Sequence, residues 1–461
     1  MRKLILSLAA TPLILGSIAV SAQAADDVAT GAAAPADAGF NIFSDVKFKG
    51  ELRTRYQFTD NKGLSDAGID AGSMVTNRTN LNFSAKLFEV DGLNTTMEMN
   101  SVDDFGSIDS QTGHPNPTDD KQVGGEAQVA KISQANIAYT FSENTVLAGR
   151  KTVNLDNQRW IGSVGWKQNF QTLDLAAYAY GGENFNIIAA YVYGVNAIGD
   201  RGYEYGNKQN YDGVTGSGST TSVAVNGSYK FASAFKLTGY VYMLGSVSDT
   251  YGISATGKFA AGEKSTIGYR AEYAMQSNSS LEHKALGKSK NVGANYLNLD
   301  IDGNIHGVLL GANYELLGAN KDYDVNDLTK GGPSLQTNLA TKHKFNGWAD
   351  QFLKTPVAGL QDLNFRVGYK FETAGKLLAV YHLFNSAEDT RTNNGSKTTD
   401  LGSEIDFLYK VGIPNVKGLG LLAKAALYSG GDAIAVAGDK HGYSDDQTMA
   451  WLQLDYKFAT K

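Results

Sequence analysis

The sequence predicts an all-β chain, a transmembrane antiparallel β-barrel of about 18 strands, and three observations carry that prediction. Strand-like segments alternate apolar and polar residues with a period of two. Their connections alternate in turn between short turns and long polar loops, the layout of a barrel with short periplasmic turns and long extracellular loops. Beyond the first 24 residues, no stretch approaches the roughly 18 uninterrupted apolar residues of a membrane-crossing helix.

The chain opens with Arg2 and Lys3, an apolar run from Leu4 to Val20, and Ala22-Gln23-Ala24. A charged start, a hydrophobic middle and a small-residue cleavage site make residues 1–24 a secretory signal cut after Ala24. Pro12 and Gly16 interrupt the apolar run, which is also short for a retained span. Residues 25–45, rich in Ala with Asp26, Asp27, Pro35 and Asp37, read as a flexible periplasmic leader. The barrel is expected over residues 46–461, in the outer membrane of a Gram-negative cell.

Period-two alternation is plainest in three segments. In residues 46–58, Val46, Phe48, Leu52, Tyr56 and Phe58 share one parity, while Lys47, Lys49, Glu51, Arg53, Arg55 and Gln57 share the other. In 362–371, Leu363, Phe365, Val367, Tyr369 and Phe371 alternate with Asn364, Arg366, Gly368 and Lys370. In 450–458, Leu452, Leu454, Tyr456 and Phe458 alternate with Gln453, Asp455 and Lys457. Each parity class occupies one face of its strand.

Short turns fall near 89–92, 142–144, 181–184, 232–234, 261–263, 302–304, 372–375 and 412–417. Longer loops lie near 59–74, 102–128, 152–168, 197–219, 277–290, 319–361, 386–399 and 430–446, with a shorter one at 246–250. A chain that begins and ends in the periplasm with eight turns and nine loops has eighteen strands. The weak segment 250–260 leaves sixteen as the alternative count. All 7 Pro lie outside these strands, as ladder hydrogen bonding requires. High Gly (52), Tyr (24) and Phe (20) suit tight turns and aromatic girdles.

With the apolar parity on lipid, the other parity lines the pore. It supplies the bases Lys47, Lys49, Arg53, Arg55, Arg78, Lys86, Lys230, Lys236, Arg270, Arg366, Lys370, Lys410, Lys424 and Lys457. Fewer acids share it: Glu51, Glu98, Asp174, Glu272, Asp300, Glu315, Glu404, Asp406 and Asp455. The whole chain nevertheless carries −6, so its surplus acid sits in loops, as at Asp103, Asp104, Asp119, Asp120, Asp322, Asp324, Asp445 and Asp446. A basic wall concentrates anions; the competing reading pairs each base with a neighbouring acid and gives it a structural role only. The net acidic charge argues against a nucleic-acid partner.

Three of the four Trp, Trp160, Trp166 and Trp348, fall in predicted loops, and Phe345, Phe352 and Leu353 accompany the last. Water-exposed loops rarely gather so much aromatic surface without burying it. The 152–168 loop is therefore a candidate constriction, folded into the barrel with Arg159 and Lys167 facing the pore. An interfacial Trp belt is the competing explanation.

The run GRKTVNLDNQRWIGSVGWKQNFQTLD (149–174) resembles a segment of the alginate-export-like family of outer-membrane barrels, as does NLATKHKFNGWADQFLKTPVAGLQDL (338–363). LGSEIDF (401–407) and RTRYQF (53–58) fit the same family. The resemblance implies an eighteen-stranded monomeric barrel. It also implies a lumen whose Arg53, Arg55, Arg78, Arg270 and Arg366 guide an acidic polysaccharide such as alginate. The C-terminus departs from it, since Ala459, Thr460 and Lys461 follow Phe458 where assembly machinery would read a terminal aromatic.

Two transport readings follow: a channel for anionic solutes that extends to polysaccharide export, and a general or nutrient-specific diffusion porin. An enzyme is not expected, because the six His are scattered and only His382 with Ser386 nearby suggests a catalytic pair. No metal site and no cofactor motif stands out. The expected partners are outer-membrane lipid and lipopolysaccharide, the barrel-assembly machinery and an anionic solute. A monomer is favoured, with a trimer as the alternative.

Overall fold

A computed structural model describes residues 41–104, 121–122, 126, 128–199, 218–281, 292–327, 332–435 and 442–460. The signal segment, most of the expected leader, and His114, His283 and His441 lie outside the described residues. Eighteen strands are present. The first six are β1 (Phe43–Asn61), β2 (Gly72–Leu87), β3 (Leu93–Asp103), β4 (Val129–Phe141), β5 (Asn144–Lys151) and β6 (Thr172–Gly181). The next six are β7 (Phe185–Asn196), β8 (Gly218–Ala232), β9 (Phe235–Leu244), β10 (Ser248–Ala260), β11 (Ser265–Ser277) and β12 (Gly293–Ile305). The last six are β13 (Val308–Leu317), β14 (Leu360–Lys370), β15 (Lys376–Arg391), β16 (Lys397–Gly412), β17 (Leu419–Ser429) and β18 (Gln447–Ala459).

Every strand pairs antiparallel with its neighbours in the chain, and β1 pairs with β18 from Lys49↔Ala459 to Asn61↔Gln447. That last pairing closes the sheet and leaves no edge. The exterior is apolar: Leu52, Met97, Ile137, Ile301, Phe365, Val367 and Leu452 are all exposed. The inner parity is polar and buried, including Arg55, Asn100, Glu272, Glu315, Asp362, Glu404 and Gln453. A water-soluble sandwich would have the reverse arrangement; this one suits lipid outside. Contacting aromatic pairs ring the turn ends, among them Tyr229–Phe231, Phe259–Tyr269 and Tyr369–Phe371. Such girdles mark membrane interfaces.

Four points differ from the sequence reading. The expected turn at 302–304 is strand, and the chain reverses instead at His306-Gly307, where both residues have positive φ (50° and 94°). A two-residue hairpin of this type needs positive φ at both central positions, and Asn304 Oδ1 accepts from Gly307 N to hold it. The weak 250–260 segment is a full strand, β10, which settles the count at eighteen rather than sixteen. The 386–399 loop shrinks to five residues, because β15 and β16 continue past a register shift beyond Phe384. The barrel wall also begins at Phe43, three residues ahead of the expected start.

Candidate functional site: a lumen crossed by two loops

The β5–β6 connection (152–171) and residues 332–359 of the β13–β14 connection are stitched together. Ile161 bridges Leu339 in parallel, Gly162 N donates to Leu339 O (2.8 Å), and Thr341 N donates to Gln158 O (3.1 Å). Gln171 Nε2 adds bonds to the carbonyls of Gly162 and Leu339. The joined loops reach inward-facing side chains of β1, β2, β11, β13, β16, β17 and β18. A segment touching that much of the inner circumference lies inside the barrel, so the aromatic loop residues are infolded rather than an interface belt.

On one side, the wall clamps loop carbonyls. Arg55 donates to Gln453 Oε1 (2.8 and 2.6 Å), to Glu126 (3.2 Å) and to Trp166 O (2.6 Å), with its guanidinium 3.9 Å from the Trp166 ring centre. Arg53 binds Asp455 (2.7 Å), Glu51 (3.0 Å) and Gly165 O (3.0 Å). Arg78 binds Glu51 (2.9 Å) and Lys167 O (3.2 Å). Gln168, fully buried, donates to Thr76 Oγ1. The planar guanidinium fork suits this simultaneous grip on carboxylates and carbonyls.

Across the lumen the roles reverse, with wall acids holding loop donors. Glu315 of β13 pairs with Arg159 (2.8 Å) and accepts from Tyr296 OH (2.6 Å), while Asn346 links Arg159, Glu315 and Asp362. Glu272 of β11 accepts from Trp160 Nε1 (2.9 Å), and the Trp160 ring packs against Tyr296 and Tyr240. Glu404 of β16 accepts from the backbone of Trp348 (2.5 Å) and Ala349 (2.8 Å). Arg270 binds Glu272 and the loop carboxylate Asp156 (2.5 Å). Burial opposes ionisation of Asp156, but the hydrogen bond and charge of Arg270 win and hold it below the usual carboxylate range.

Both loops meet at Lys424 of β17. Its Nζ lies 2.7 Å from His343 Nε2 and 3.9, 4.3 and 5.1 Å from the ring centres of Trp348, Trp166 and Trp451. His343 stacks on Trp166 (4.7 Å, 5°), and its Nδ1 lies 2.6 Å from Asp350. Because an ammonium only donates, Nε2 must accept, and Nδ1 carries the proton given to Asp350. Burial pushes His343 down to about 3, against the pull of Asp350 and helped by the Lys424 charge. Asp350 sits below the usual range, since the His343 interaction outweighs burial.

Every predicted wall base falls on the inner parity, but the bases divide into two groups. Arg53, Arg55, Arg78, Arg270 and Arg366 are all paired with acids, Arg366 with Asp300. Lys86 reaches Asp45 and Asp91 at the turn end. Lys47, Lys49, Lys230, Lys236, Lys370 and Lys410 make no ion pair among the described residues. Lys230 stands opposite Lys236, and Lys376 stands opposite both Lys370 and Lys410.

Two predicted pore charges need correction. Arg159 does not face open lumen: it is 2% exposed, enclosed by Glu315, Asn346 and the Phe345 ring. Lys424 is likewise shut in by three Trp. Lys167 and Trp166 stay half-buried on the loop, and the exposed Lys344 donates to Asn157 O (2.8 Å). Sequence reasoning missed Glu126, His343 and Asp350 as loop anchors, and missed the inward aromatics Tyr240, Tyr296, Phe384 and Tyr428. Their parity alone would have placed these aromatics inside. The suspected His382–Ser386 pair does not form, because His382 Nδ1 meets Asp362 and Ser386 Oγ donates to Glu388 O.

Fold and site together define a closed transmembrane barrel whose lumen is crossed by its own loops. Solved outer-membrane porins share the closed barrel fold. OccAB4 of Acinetobacter baumannii superposes with a TM-score of 0.65 at 12% identity, covering 90% of this chain and 99% of that one. OccK8 (OprE) of Pseudomonas aeruginosa gives 0.64 at 14% identity over 92% and 100%. OpdK of Pseudomonas aeruginosa, solved with vanillate, gives 0.64 at 12% over 91% and 100%. No protein-family model and no curated protein matches the chain.

Proposed function

We propose that this protein is an outer-membrane diffusion channel for small anionic solutes, narrowed by loops 152–171 and 332–359. One observation carries the reading: the two loops are tied to each other and to opposite walls, leaving a lumen rimmed by lysines that make no ion pair among the described residues. Like charges set directly opposite on neighbouring strands destabilise a sheet. Lysines kept that way at the turn end supply a field that draws anions through. Small carboxylates are the solutes to test first, as a neighbour of the same fold was solved with one.

The resemblance of the loop runs to alginate-export-like barrels suggests the finer reading of polysaccharide export. Loops clamped across the lumen by buried ion pairs stand against a threading polymer, so the porin reading is preferred. On this proposal the apolar exterior contacts outer-membrane lipid and lipopolysaccharide, the barrel-assembly machinery inserts the chain, and a monomer suffices. The test is a planar-bilayer recording of the refolded barrel under a salt gradient. A reversal potential of anion selectivity is expected; cation selectivity overturns the anionic reading.

A further inference from the structure

Lys424 has no part in the reading just given, since its charge is hidden from the lumen. It touches both infolded loops at once, Trp166 of 152–171 and His343 and Trp348 of 332–359, as do Glu315 through Arg159 and Asn346 and Trp451 through Trp166 and His343. We propose that Lys424 is the positioning residue that latches the constriction, a wall ammonium gripped by both loops whose release lets them leave the lumen together. The proposal rests on the channel reading and adds to it the device that sets the open state.

The geometry argues for a latch rather than a stray buried charge. A lysine on the inner wall of a water-filled barrel ordinarily extends its head into water. Here the head is withdrawn, with one donor spent on His343 and the rest of its surface on indole faces, the arrangement that stabilises a desolvated cation. Several other wall contacts hold one loop each, as Glu404 holds 332–359 and Arg78 holds 152–171; Glu315 and Trp451 span both loops, but neither carries a positive charge. Removing one of the single-loop contacts leaves the other loop's anchor in place. Removing Lys424 withdraws a partner from both.

The latch also requires a neutral imidazole. A proton on Nε2 would replace an accepted hydrogen bond with two cations facing at the same point. The charged groups around the ring are Asp350 on its own loop, Lys167 on the other loop and Lys424 on β17. Around the ammonium lie Asp406 and Glu404 of β16 and Arg55 of β1. A released loop regains an ordinary histidine, so acid favours release. As pH falls from about 6.5 towards about 3, this single group lowers the docked-to-released ratio by about tenfold per pH unit.

The experiment uses the refolded barrel carrying Lys424→Met, which keeps length and loses charge. Three of the four Trp surround Lys424, so loop release is read directly by acrylamide quenching of Trp emission. Larger or flickering conductance steps together with increased quenching are expected in the variant. In the wild type both changes are expected on acidification, and His343→Leu is expected to show them already at neutral pH. His343 lies in a loop, so this second variant keeps the test alive if Lys424→Met fails to form a heat-modifiable barrel. Unchanged quenching and unchanged conductance in a folded Lys424→Met barrel overturn the latch. Increased quenching in a barrel whose wild type conducts nothing keeps the latch and overturns the channel reading instead.

Discussion

The loop half and the turn half of this lumen use positive charge in opposite ways. In the loop half, Arg53, Arg55, Arg78, Arg159 and Arg270 are dry or nearly so, and each is matched to a carboxylate. In the turn half, Lys230, Lys236, Lys370, Lys376 and Lys410 face one another across strands and make no ion pair among the described residues. A buried charge is tolerated only when paired, so the arginines act as fasteners for loops. An exposed charge left unpaired costs little and projects a field, so the lysines act on solutes. Counting bases along the wall, as composition invites, merges these two jobs.

The comparison breaks most sharply on the fasteners. Arg159→Met strands Glu315 in a buried site, and losing one partner of a buried pair costs about 3–5 kcal/mol. The loss falls on loop docking, because β13 keeps its ladder to β12 and β14 without it. Faster hydrogen exchange across 152–171 with unchanged strand protection is the expected outcome, measured by mass spectrometry. Equal protection of the loop in both proteins would mean that Arg159 is no fastener.

The lysines sharpen it from the other side. Changing Lys370, Lys376 and Lys410 together to Gln removes a like-charge run spanning three adjacent strands. The reversal potential is expected to move towards cations, while resistance to urea stays level or rises by up to about 1 kcal/mol, the scale of a cross-strand pair. A fall in stability comparable to that of Arg159→Met would show that the lysines too are structural.

The barrel was legible in the sequence because its information is local. Parity in 46–58, 362–371 and 450–458 placed Arg55, Asn364 and Gln453 inside and Leu52, Phe365 and Leu452 outside, and each is found there. Connection lengths gave the strand count, and only the Asp302-Gly303-Asn304 segment, turn-like in composition, misplaced a turn. The site was legible only as a suspicion. Too much aromatic surface in 152–168 and 345–353 announced infolding, but not the partners. Arg159 meets Glu315 across 156 residues and Trp160 meets Glu272 across 112. No periodicity records a contact across a lumen, so Arg159 and Lys424 were read as pore charges when they are enclosed.

Salt gives the mildest separation of the two halves. At about 1 M ionic strength the screening length falls to about 3 Å. Lysines standing in water lose most of their reach under that condition, so anion selectivity should decline steadily between about 0.1 and 1 M. The pairs Arg55–Glu126 and Arg159–Glu315 exclude solvent, with side chains no more than 3% exposed, and salt has little access to them. Acrylamide quenching of Trp160 and Trp166 should therefore stay constant over the same range. Selectivity and loop docking moving together with salt would place both under one set of charges, and the division between fasteners and field would fail.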